Sequence, residues 1–453
     1  GDEAPKTPAN RVTSAPPAAM GHAALPGQRE EMGEPRAALD DTINSDKPGN
    51  EEDGETRKLQ AALEKFLGTR DTVTEPATAG SNSSSSEEAA PRGLGYVPNS
   101  TRRVSQLTGD FDRMAGVPTL SRTGERFGVA ATDLGSSFEH KGKLYFLFGD
   151  TWGQLDRPGA WDAVAWTESA DPENILVNFH LEGDSKWLPP SVPGIKQGAF
   201  EVPSGGISIA DTMYVVFTTD HSFKKKMGRS VVARSRDDGQ TFEVLYDLSR
   251  DKFINVSFWP AGRWLYIYGS GDYRKSSVYL ARVKPEYVED RSKLQYFSGI
   301  DPGQRVRWSS READAAPLFQ HNVVGEFSVA YLEPVQRYVM LYNSREPRGI
   351  TMRSAETPWG PWSQGTMVYQ PWRDKGYGQF VHASARSARV KDALSDPRRE
   401  NEWGGEYGPY IMARYTSGSG EGCRIYYTMS TWNPYQVVVM QSDLSFSPDV
   451  PGQ

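Results

Sequence analysis

A strand hairpin recurs along most of the chain, and this repeat limits the fold more than any other feature. Its clearest copy is Gly128–Trp152. There we predict strands over Val129–Phe138 and Leu144–Phe148 around a polar turn, because the second segment is almost entirely apolar and aromatic. Three further copies with the same order are Val202–Phe217, Ile254–Tyr268 and Glu326–Tyr342. A less regular fifth copy begins at Gln379–Ser384 and continues, after a charged insertion, into Tyr410–Tyr415.

Four of these hairpins are followed by a second pair of strands with recurring polar turns. The second pairs are Ser230–Phe242, Ser277–Val283, Gly349–Trp362 and Cys423–Tyr435. Short strands in repeated units, with turn residues between them and without convincing helices, are typical of radial β folds. Five units of four strands predict an all-β, five-bladed β-propeller. Six blades, or a sandwich with insertions, are the alternatives that the uneven spacing leaves open.

One turn, Ser235–Phe242, matches the pattern S-x-D-x-G-x-T-F. It resembles the Asp-box turn that is common in sialidase-like propellers, where it joins the outer strands on the side away from the active site. Asp237 and Gly239 suit a tight turn with a side-chain-to-backbone bond and a left-handed residue. We therefore interpret the motif as support for blades and not as part of a site.

The first 94 residues differ from the rest, since they are rich in Pro, Ala, Glu, Asp, Ser and Gly and nearly lack aromatic residues. Such a segment buries too little apolar surface to offset its ordering entropy, so we predict a disordered tail with one short amphipathic helix over Glu55–Leu67. We expect this tail to be the spacer that follows a signal peptide or lipid anchor, with a linker of another kind as the alternative. If the tail is such a spacer, we expect the protein to be exported to the periplasm, to the outer surface or into the medium. We expect the propeller to occupy residues 95–453.

The bulk composition excludes several function classes. A net charge of −7 argues against a nucleic-acid partner, and no apolar run is long enough to span a membrane. No phosphate-binding loop, G-x-S-x-G elbow or H-E-x-x-H pair appears. The single cysteine, Cys423, lies in a predicted strand, where we expect it to pack in the core. We expect a monomer without a cofactor, with a structural cation in the central channel as the alternative.

Asp133 and Asp150 are the strongest candidates for chemistry. Asp133 lies near the start of the first strand of Gly128–Trp152, and Asp150 lies just past the end of the second. In an antiparallel hairpin these two points meet at the same edge, so we expect both carboxyls on one side of the molecule. Paired carboxyls are what acid/base chemistry on a neutral substrate needs. The alternative is that each aspartate caps a turn.

The other functional residues of a propeller are expected around the same mouth of the channel, where first strands begin and second strands end. Strand starts add Glu201, Asn255, Glu326 and either Gln379 or His382, and second-strand ends add Asp220, His221, Tyr273, Arg345 and Arg414. Trp152 adds a flat aromatic face. Acids, amides, arginines and aromatic rings together suit a sugar. The structural alternatives are a surface ion pair between Arg345 and Glu346 and a core position for His382.

Four short motifs carry a family resemblance, namely Thr132–Gly135, Leu147–Thr151, Gly325–Val329 and Val339–Tyr342. They resemble a bacterial family long labelled a domain of unknown function, which includes the endo-D-arabinanases of glycoside hydrolase family 183. The resemblance covers Gly95 to Leu444. It implies a five-bladed propeller, like that of the arabinanase and fructosidase families, and hydrolysis of α-D-arabinofuranosyl linkages in mycobacterial-type arabinan. It also implies that Asp133 and Asp150 are the acidic pair, and that Glu326 stands where related glycosidases often have their general acid.

Two hypotheses follow for the function. The first is an exported glycoside hydrolase that acts on a furanoside polymer through Asp133 and Asp150, with Glu326 as the alternative acid. Its expected substrate-binding residues are Trp152, Glu201, Asp220, His221, Asn255, Arg345, His382 and Arg414. The second is a non-catalytic propeller that binds a glycan or a protein at the cell surface. Carboxyls of the three acids on different faces would rule out the enzyme.

Overall fold

Five antiparallel sheets make up most of the regular structure in this computed structural model, which describes residues 93–153 and 159–446. The first strand of each sheet packs against the first strands of the sheets before and after it, and the fifth packs against the first. This closed ring is a five-bladed β-propeller, so the predicted fold is confirmed. Of the predicted tail, residues 1–92 lie outside the described residues, and so does its helix at Glu55–Leu67.

Blades 1 to 4 are meanders that follow one another along the chain. Blade 1 contains Leu134–His140, Lys143–Thr151, Trp161–Thr167 and Asn178–Phe179. Blade 2 contains Pro203–Ile209, Thr212–Thr219, Arg229–Ser235 and Glu243–Ser249. Blade 3 contains Asn255–Ala261, Trp264–Ser270, Val278–Val283, Gln295–Ile300 and a fifth strand, Val306–Ser309. Blade 4 contains Val324–Leu332, Arg337–Arg345, Arg348–Ala355 and Thr366–Tyr369.

Blade 5 combines both ends of the described chain. Its C-terminal strands are Gly405–Ile411, Gly422–Trp432 and Gln436–Phe446. Its outer edge comes from Leu94–Tyr96 and Arg102–Gln106, which both pair with the last of these strands. Ser417–Ser419 pairs with the strand that begins at Gly422. The two ends of the fold are therefore held in one sheet.

The prediction for the fifth unit is wrong in its first half. Residues 379–384 form no strand, and blade 5 begins at Gly405–Ile411. The alternating pattern was misleading because consecutive side chains, such as Phe380 and Val381, are all buried. The amides of these two residues both donate to the carbonyl oxygen of Gly376, which is the bonding of a turn. The segment Cys423–Tyr435, predicted as an outer pair, contains the second strand of the blade.

Smaller elements lie between and beside the blades. A five-residue helix, α1, spans Thr123–Phe127. Two short hairpins pair Phe111–Asp112 with Val117–Pro118 and Leu181–Glu182 with Lys186–Trp187. Single 3-10 turns occur at Pro285–Tyr287, Arg291–Lys293, Glu312–Asp314, Glu333–Val335 and Ala413–Tyr415.

The apolar core lies between neighbouring blades, with one buried cluster at each of the five interfaces. Nearer the channel, serine hydroxyls join the first strands. Ser204 accepts a hydrogen bond from the amide of Val256 in the next blade, and Ser257 accepts one from Val329. Ser328 accepts one from the amide of Ile411 in blade 5. These bonds hold the first strands at fixed distances, and they therefore fix the residues at the strand starts.

The Asp-box motif lies where it was predicted, between the third and fourth strands of blade 2. The Asp237 carboxylate accepts hydrogen bonds from Thr241, and Gly239 has a positive φ of 91°. The neighbouring Asp238 contacts Nε2 of His140, at the tip of the first hairpin of blade 1, at 2.8 Å. The motif is therefore a structural turn on the face opposite the strand starts.

Candidate active site

The first hairpin of blade 1 brings Asp133 and Asp150 together. Asp133 directly precedes the first strand, which begins at Leu134, and its carbonyl oxygen accepts a hydrogen bond from the Gly149 amide at 3.0 Å. Asp150 lies inside the second strand, Lys143–Thr151, and not past its end as predicted. Both carboxyls border the same end of the channel.

A β-bulge places a third carboxyl beside this pair. In the pairing of the second and third strands, Gly149 and Asp150 together oppose the single residue Asp162. Bulges of this kind re-aim side chains and are common next to functional sites. The Asp162 side chain is buried and accepts a hydrogen bond from Nε2 of Gln197 at 3.0 Å. Sequence reasoning missed Asp162, because a bulge has no reliable signature in a single sequence.

Asp133 is buried and held by two tyrosines. Its Oδ2 accepts hydrogen bonds from the hydroxyls of Tyr407, at 2.9 Å, and Tyr435. Its Oδ1 is buried without a hydrogen bond of ordinary geometry in the described residues, although the amide of Asp150 lies close enough to lower the carboxyl pKa. Burial dominates, and it raises the pKa of Asp133 to about 7.

Asp150 is partly buried and faces the same space. Its carboxylate accepts a hydrogen bond from the Phe200 amide at 3.2 Å. Burial raises the pKa of Asp150 well above its ordinary value, and the charges of Asp133 and Asp162 raise it further. The pKa of Asp162 is also raised, first by burial and then by the charge of Asp133. Because like charges so close together cannot all ionise, this group retains protons near neutral pH.

Glu326 differs from these aspartates because it has a cationic partner. Arg274 donates two hydrogen bonds to it, from Nε to Oε2 at 3.1 Å and from Nη2 to Oε1 at 2.9 Å. Burial raises the pKa of Glu326, but the charge and hydrogen bonds of Arg274 outweigh this, so the net pKa is below its ordinary value. The Arg274 guanidinium also lies 5.2 Å from the ring centroid of Tyr407, which bonds Asp133. The ion pair and the aspartates therefore form one connected group.

Glu406 is a functional candidate that sequence reasoning missed. It lies at the start of the first strand of blade 5, is buried, and pairs with Nη2 of Arg348 at 2.9 Å. A signal was present, because Gly405-Glu406-Tyr407 repeats the glycine, glutamate, aromatic order of Gly325-Glu326-Phe327. The wrong start assigned to blade 5 concealed it.

The starts of the five first strands now form a set that we call the acidic rim. Its members are Asp133, Glu201, Asn255, Glu326 and Glu406, all of them buried. Oε1 of Glu201 accepts a hydrogen bond from the His221 amide at 2.9 Å. Nδ2 of Asn255 contacts the sulfur of Met227 at 3.6 Å. Four carboxyls and one amide thus surround one end of the channel.

Other predicted site residues lie around the acidic rim. The Trp152 ring meets that of Tyr435 edge-on, with centroids 5.0 Å apart. The exposed His221 ring lies 5.0 Å from that of Phe200. Arg345 ends the second strand of blade 4, and its charge reaches the mouth, where it lowers the pKa of Lys226 after burial and Arg274.

Asp220 lies in the same loop as His221, but its carboxylate is occupied. Its Oδ2 accepts a hydrogen bond from Nε of Arg229 at 2.6 Å. Arg229 in turn donates to Asp247 on the neighbouring strand. Asp220 therefore fixes the loop to blade 2 and does not point to the acidic rim.

Arg414 lies away from the acidic rim, so its predicted placement was wrong, whereas the His382 backbone is bonded to Gly404, close to Glu406 of the rim, but its ring is held by the insertion. His382 is buried in the insertion of blade 5, where its ring bonds Asp392 and the carbonyl oxygen of Glu400. Arg414 pairs with Glu139 and donates to the carbonyl oxygen of Gly142, in the hairpin turn of blade 1 on the opposite face. The Arg414 error follows from the wrong start of blade 5, which shifted its strand ends by one element.

Two further observations concern metal binding and membrane insertion within residues 93–153 and 159–446. In these ranges no three His, Cys, Asp or Glu side chains are grouped so that they could hold a metal ion. No helix there is long and apolar enough to cross a membrane.

The fold and the site define a class: a five-bladed propeller with carboxyls clustered at one mouth. Residues 119–441 match DUF4185, described as a domain of unknown function, and the match covers more than half of the chain. The protein therefore belongs to this family. The match agrees with the expected resemblance to a family of unknown function, whereas membership of glycoside hydrolase family 183 stays a prediction.

Two related proteins and two solved structures illustrate the similarity. Notoamide biosynthesis cluster protein J' of Aspergillus versicolor is 26% identical over 301 residues, which cover 57% of this chain and 78% of that protein. An uncharacterized 35.9 kDa protein in the asd 3' region of Mycolicibacterium smegmatis is 24% identical over 258 residues, covering 53% and 73%. A putative hydrolase from Bacteroides ovatus ATCC 8483 has a TM-score of 0.47 and 12% identity, covering 71% of this chain and 87% of its own. CoXyl43, a GH43 β-xylosidase/α-arabinofuranosidase from a compost microbial metagenome, has a TM-score of 0.40 and 10% identity, covering 76% and 94%. These similarities are too low to transfer the activities of those proteins to this chain.

Proposed function

We propose that the protein is a glycoside hydrolase that cleaves arabinofuranosyl linkages in a D-arabinan-like cell-envelope polysaccharide. The observation that carries the proposal is the pair Asp133 and Asp150, two adjacent carboxyls at one channel mouth whose pKa values are both raised. Glycoside hydrolysis uses two carboxyls, of which one donates a proton while the other is ionised. A coupled pair that retains one proton near neutral pH meets this requirement.

The chemistry then divides between the two members of the pair. The protonated carboxyl donates its proton to the glycosidic oxygen as the bond to the anomeric carbon breaks. The ionised carboxylate either removes a proton from the attacking water, or attacks the anomeric carbon itself to form a glycosyl ester, which water then hydrolyses with the first carboxyl acting as base. The first route inverts the anomeric configuration and the second retains it, so NMR of the first-formed product anomer distinguishes them.

Glu326 is a weaker candidate for the acid than the aspartates. Its ion pair with Arg274 keeps it ionised, because the net pKa is lowered. An ionised carboxylate has no proton to donate to a leaving group. We propose instead that Glu326 holds Arg274 against the ring of Tyr407, whose hydroxyl bonds Asp133.

The alternative of a non-catalytic binding protein explains less of the site. Binding a neutral sugar needs hydrogen bonds and aromatic faces, and Trp152 and Tyr435 already supply the latter. Burying Asp133, Asp150 and Asp162 side by side costs free energy that such a binding protein would not need to spend. Buried carboxyls whose pKa values are strongly raised favour chemistry over plain binding.

The arabinofuranosyl specificity is supported by the resemblance of the four motifs around Asp133, Asp150, Glu326 and Tyr342. The export and the anchored tail also stay predictions, since residues 1–92 lie outside the described residues.

The proposal is tested by incubating the protein with arabinogalactan, lipoarabinomannan and plant L-arabinan, and by separating the products by chromatography. We expect sugar release from the D-arabinan polymers, and we expect Asp133→Asn to abolish it without loss of fold. Asp211→Asn is the matched control, because Asp211 is an exposed turn residue with φ 61° between the first two strands of blade 2, a backbone that asparagine tolerates. Unchanged hydrolysis by Asp133→Asn would refute the assignment.

A further inference from the structure

Lys226 is a cation without a carboxylate partner beside the acidic rim. Its Nζ lies 4.6 Å from the ring centroid of Phe200 and 4.9 Å from that of Tyr273. Over residues 93–153 and 159–446 it forms no ion pair, whereas the neighbouring Arg229 and Arg274 both do. Lysine in contact with two aromatic faces is partly desolvated, so an absent partner leaves its charge poorly balanced.

The two rings that hold Lys226 belong to the candidate active site. The Phe200 amide donates to the Asp150 carboxylate. The Tyr273 ring also carries the guanidinium of Arg274, at 4.8 Å from the centroid, and Arg274 pairs with Glu326. Because Lys226 and Arg274 share the Tyr273 ring, their charged atoms are at most about 10 Å apart.

The carboxylates that could neutralise Lys226 are already occupied. Glu326 accepts both hydrogen bonds of Arg274, and Asp220 is bonded to Arg229. Neither of these carboxylates therefore contacts the Lys226 ammonium.

Arg345 extends this cationic side toward solvent. It is exposed at the end of the second strand of blade 4, and the surface ion pair with Glu346 considered from the sequence does not form. In the described part of the chain its guanidinium has no carboxylate partner, and its charge acts on Lys226. Arg345, and Arg274 despite its pairing with Glu326, both repel the Lys226 ammonium, and an anion bound beside that ammonium weakens the repulsion.

We propose that Lys226 and Arg345, with Arg274 behind them, form a subsite for an anionic substituent of the glycan, either a carboxylate or a phosphate. This subsite rests on the proposed function and narrows it, because the D-arabinan-like substrate would then carry anionic substituents. A neutral sugar would need the faces of Phe200 and Tyr273 for stacking, but the ammonium of Lys226 already lies over both. A negatively charged group gains more from meeting that ammonium than a neutral hydroxyl does.

The test uses chemically matched polysaccharides and the full chain. One D-arabinan preparation is divided into three portions. One portion is carboxymethylated, one is phosphorylated, and the third is hydroxyethylated to the same degree, as the neutral control. Dissociation constants are measured by calorimetry. We expect the anionic samples to bind about tenfold tighter than the neutral one, as for one charge-assisted contact, and we expect salt to reduce this preference. The stronger of the two anionic samples identifies the substituent.

Single substitutions test whether Lys226 is responsible for the preference for anionic samples. Lys226→Met should abolish the preference for the anionic samples, and Lys226→Arg should keep most of it. Lys224→Met is the matched control, since Lys224 is an exposed lysine of the same loop and should leave the preference intact. Equal binding of neutral and anionic samples, or an equal effect of Lys224→Met and Lys226→Met, would overturn the subsite. An anionic preference that depends on Lys226 without any sugar release would leave the subsite standing and refute the hydrolase.

Discussion

Replacing Arg274 by methionine removes the cation that balances Glu326 and leaves a similar volume of side chain. The Glu326 side chain is 6% exposed and that of Arg274 is 26% exposed, so the pair is largely shielded from water. In the variant the carboxylate must either stay ionised without a partner or take up a proton. Both outcomes cost free energy at neutral pH.

The magnitude follows from this burial. Removing one partner of a buried ion pair costs about 3–5 kcal/mol, and the partial exposure of Arg274 favours the lower end, about 3 kcal/mol. Unfolding entropy is about 2.1 cal/mol/K per residue, and the structure describes roughly 350 residues. The expected fall in melting temperature is therefore about 4 °C.

The pH dependence has a definite sign. In the wild type the net pKa of Glu326 is lowered, because Arg274 outweighs the opposing effect of burial. Its stabilisation is therefore present above the unfolded-state pKa and is lost as the pH falls through the folded-state pKa. In the variant the lowering by Arg274 is lost, so burial, the largest influence that remains, raises the pKa of Glu326 against only its backbone and Asn343 hydrogen bonds, and ionisation now opposes folding at higher pH. The stability difference should be largest near about pH 7 and should shrink toward about pH 4.

The assay is thermal and urea unfolding, followed by circular dichroism across this pH range. The double variant Arg274→Met with Glu326→Gln should recover much of the loss, because the unpaired charge is gone. Arg305→Met is the control, since Arg305 pairs with Asp301 at the surface, is 82% exposed, and should contribute nothing measurable. A variant as stable as the wild type near neutral pH, or a loss that does not change with pH, would refute the electrostatic account of Glu326.

Three further predictions concern the pair and its surroundings. Tyr435→Phe removes a hydroxyl that lowers the pKa of Asp133. The alkaline limb of the pH profile of kcat/KM should therefore move to higher pH, and an unmoved limb would show that Asp133 is not the group that titrates there. Gly149→Ala would place a Cβ 2.6 Å from Oδ1 of Asp133, so we expect kcat to fall at least about tenfold, whereas Gly420→Ala, with open space around its Cβ, should leave kcat unchanged. His382→Asn should lower the free energy of unfolding by about 1–3 kcal/mol without changing kcat or KM, and altered kinetics would return that histidine to the site.

The sequence predicted the architecture well because its signals are local. Alternating apolar residues and glycine-rich turns indicate hairpins wherever they occur, and the Asp-box pattern indicates a turn between outer strands. Four of the five first strands were therefore located within a few residues. The exception, blade 5, follows an insertion whose side chains are buried outside any sheet, and no local rule distinguishes such a segment from a strand.

What the sequence determined by itself is a hairpin repeat and two aspartates at one edge of its first copy. The sequence alone did not give the surroundings that set their chemistry. Tyr435 reaches Asp133 from 302 residues further along the chain, and Arg274 is 52 residues from Glu326. The ring closes where the first strand of blade 5 packs against that of blade 1. Burial and charge proximity, which raise the pKa of Asp133 and lower that of Glu326, depend on distances through space, and only the closed propeller sets those distances.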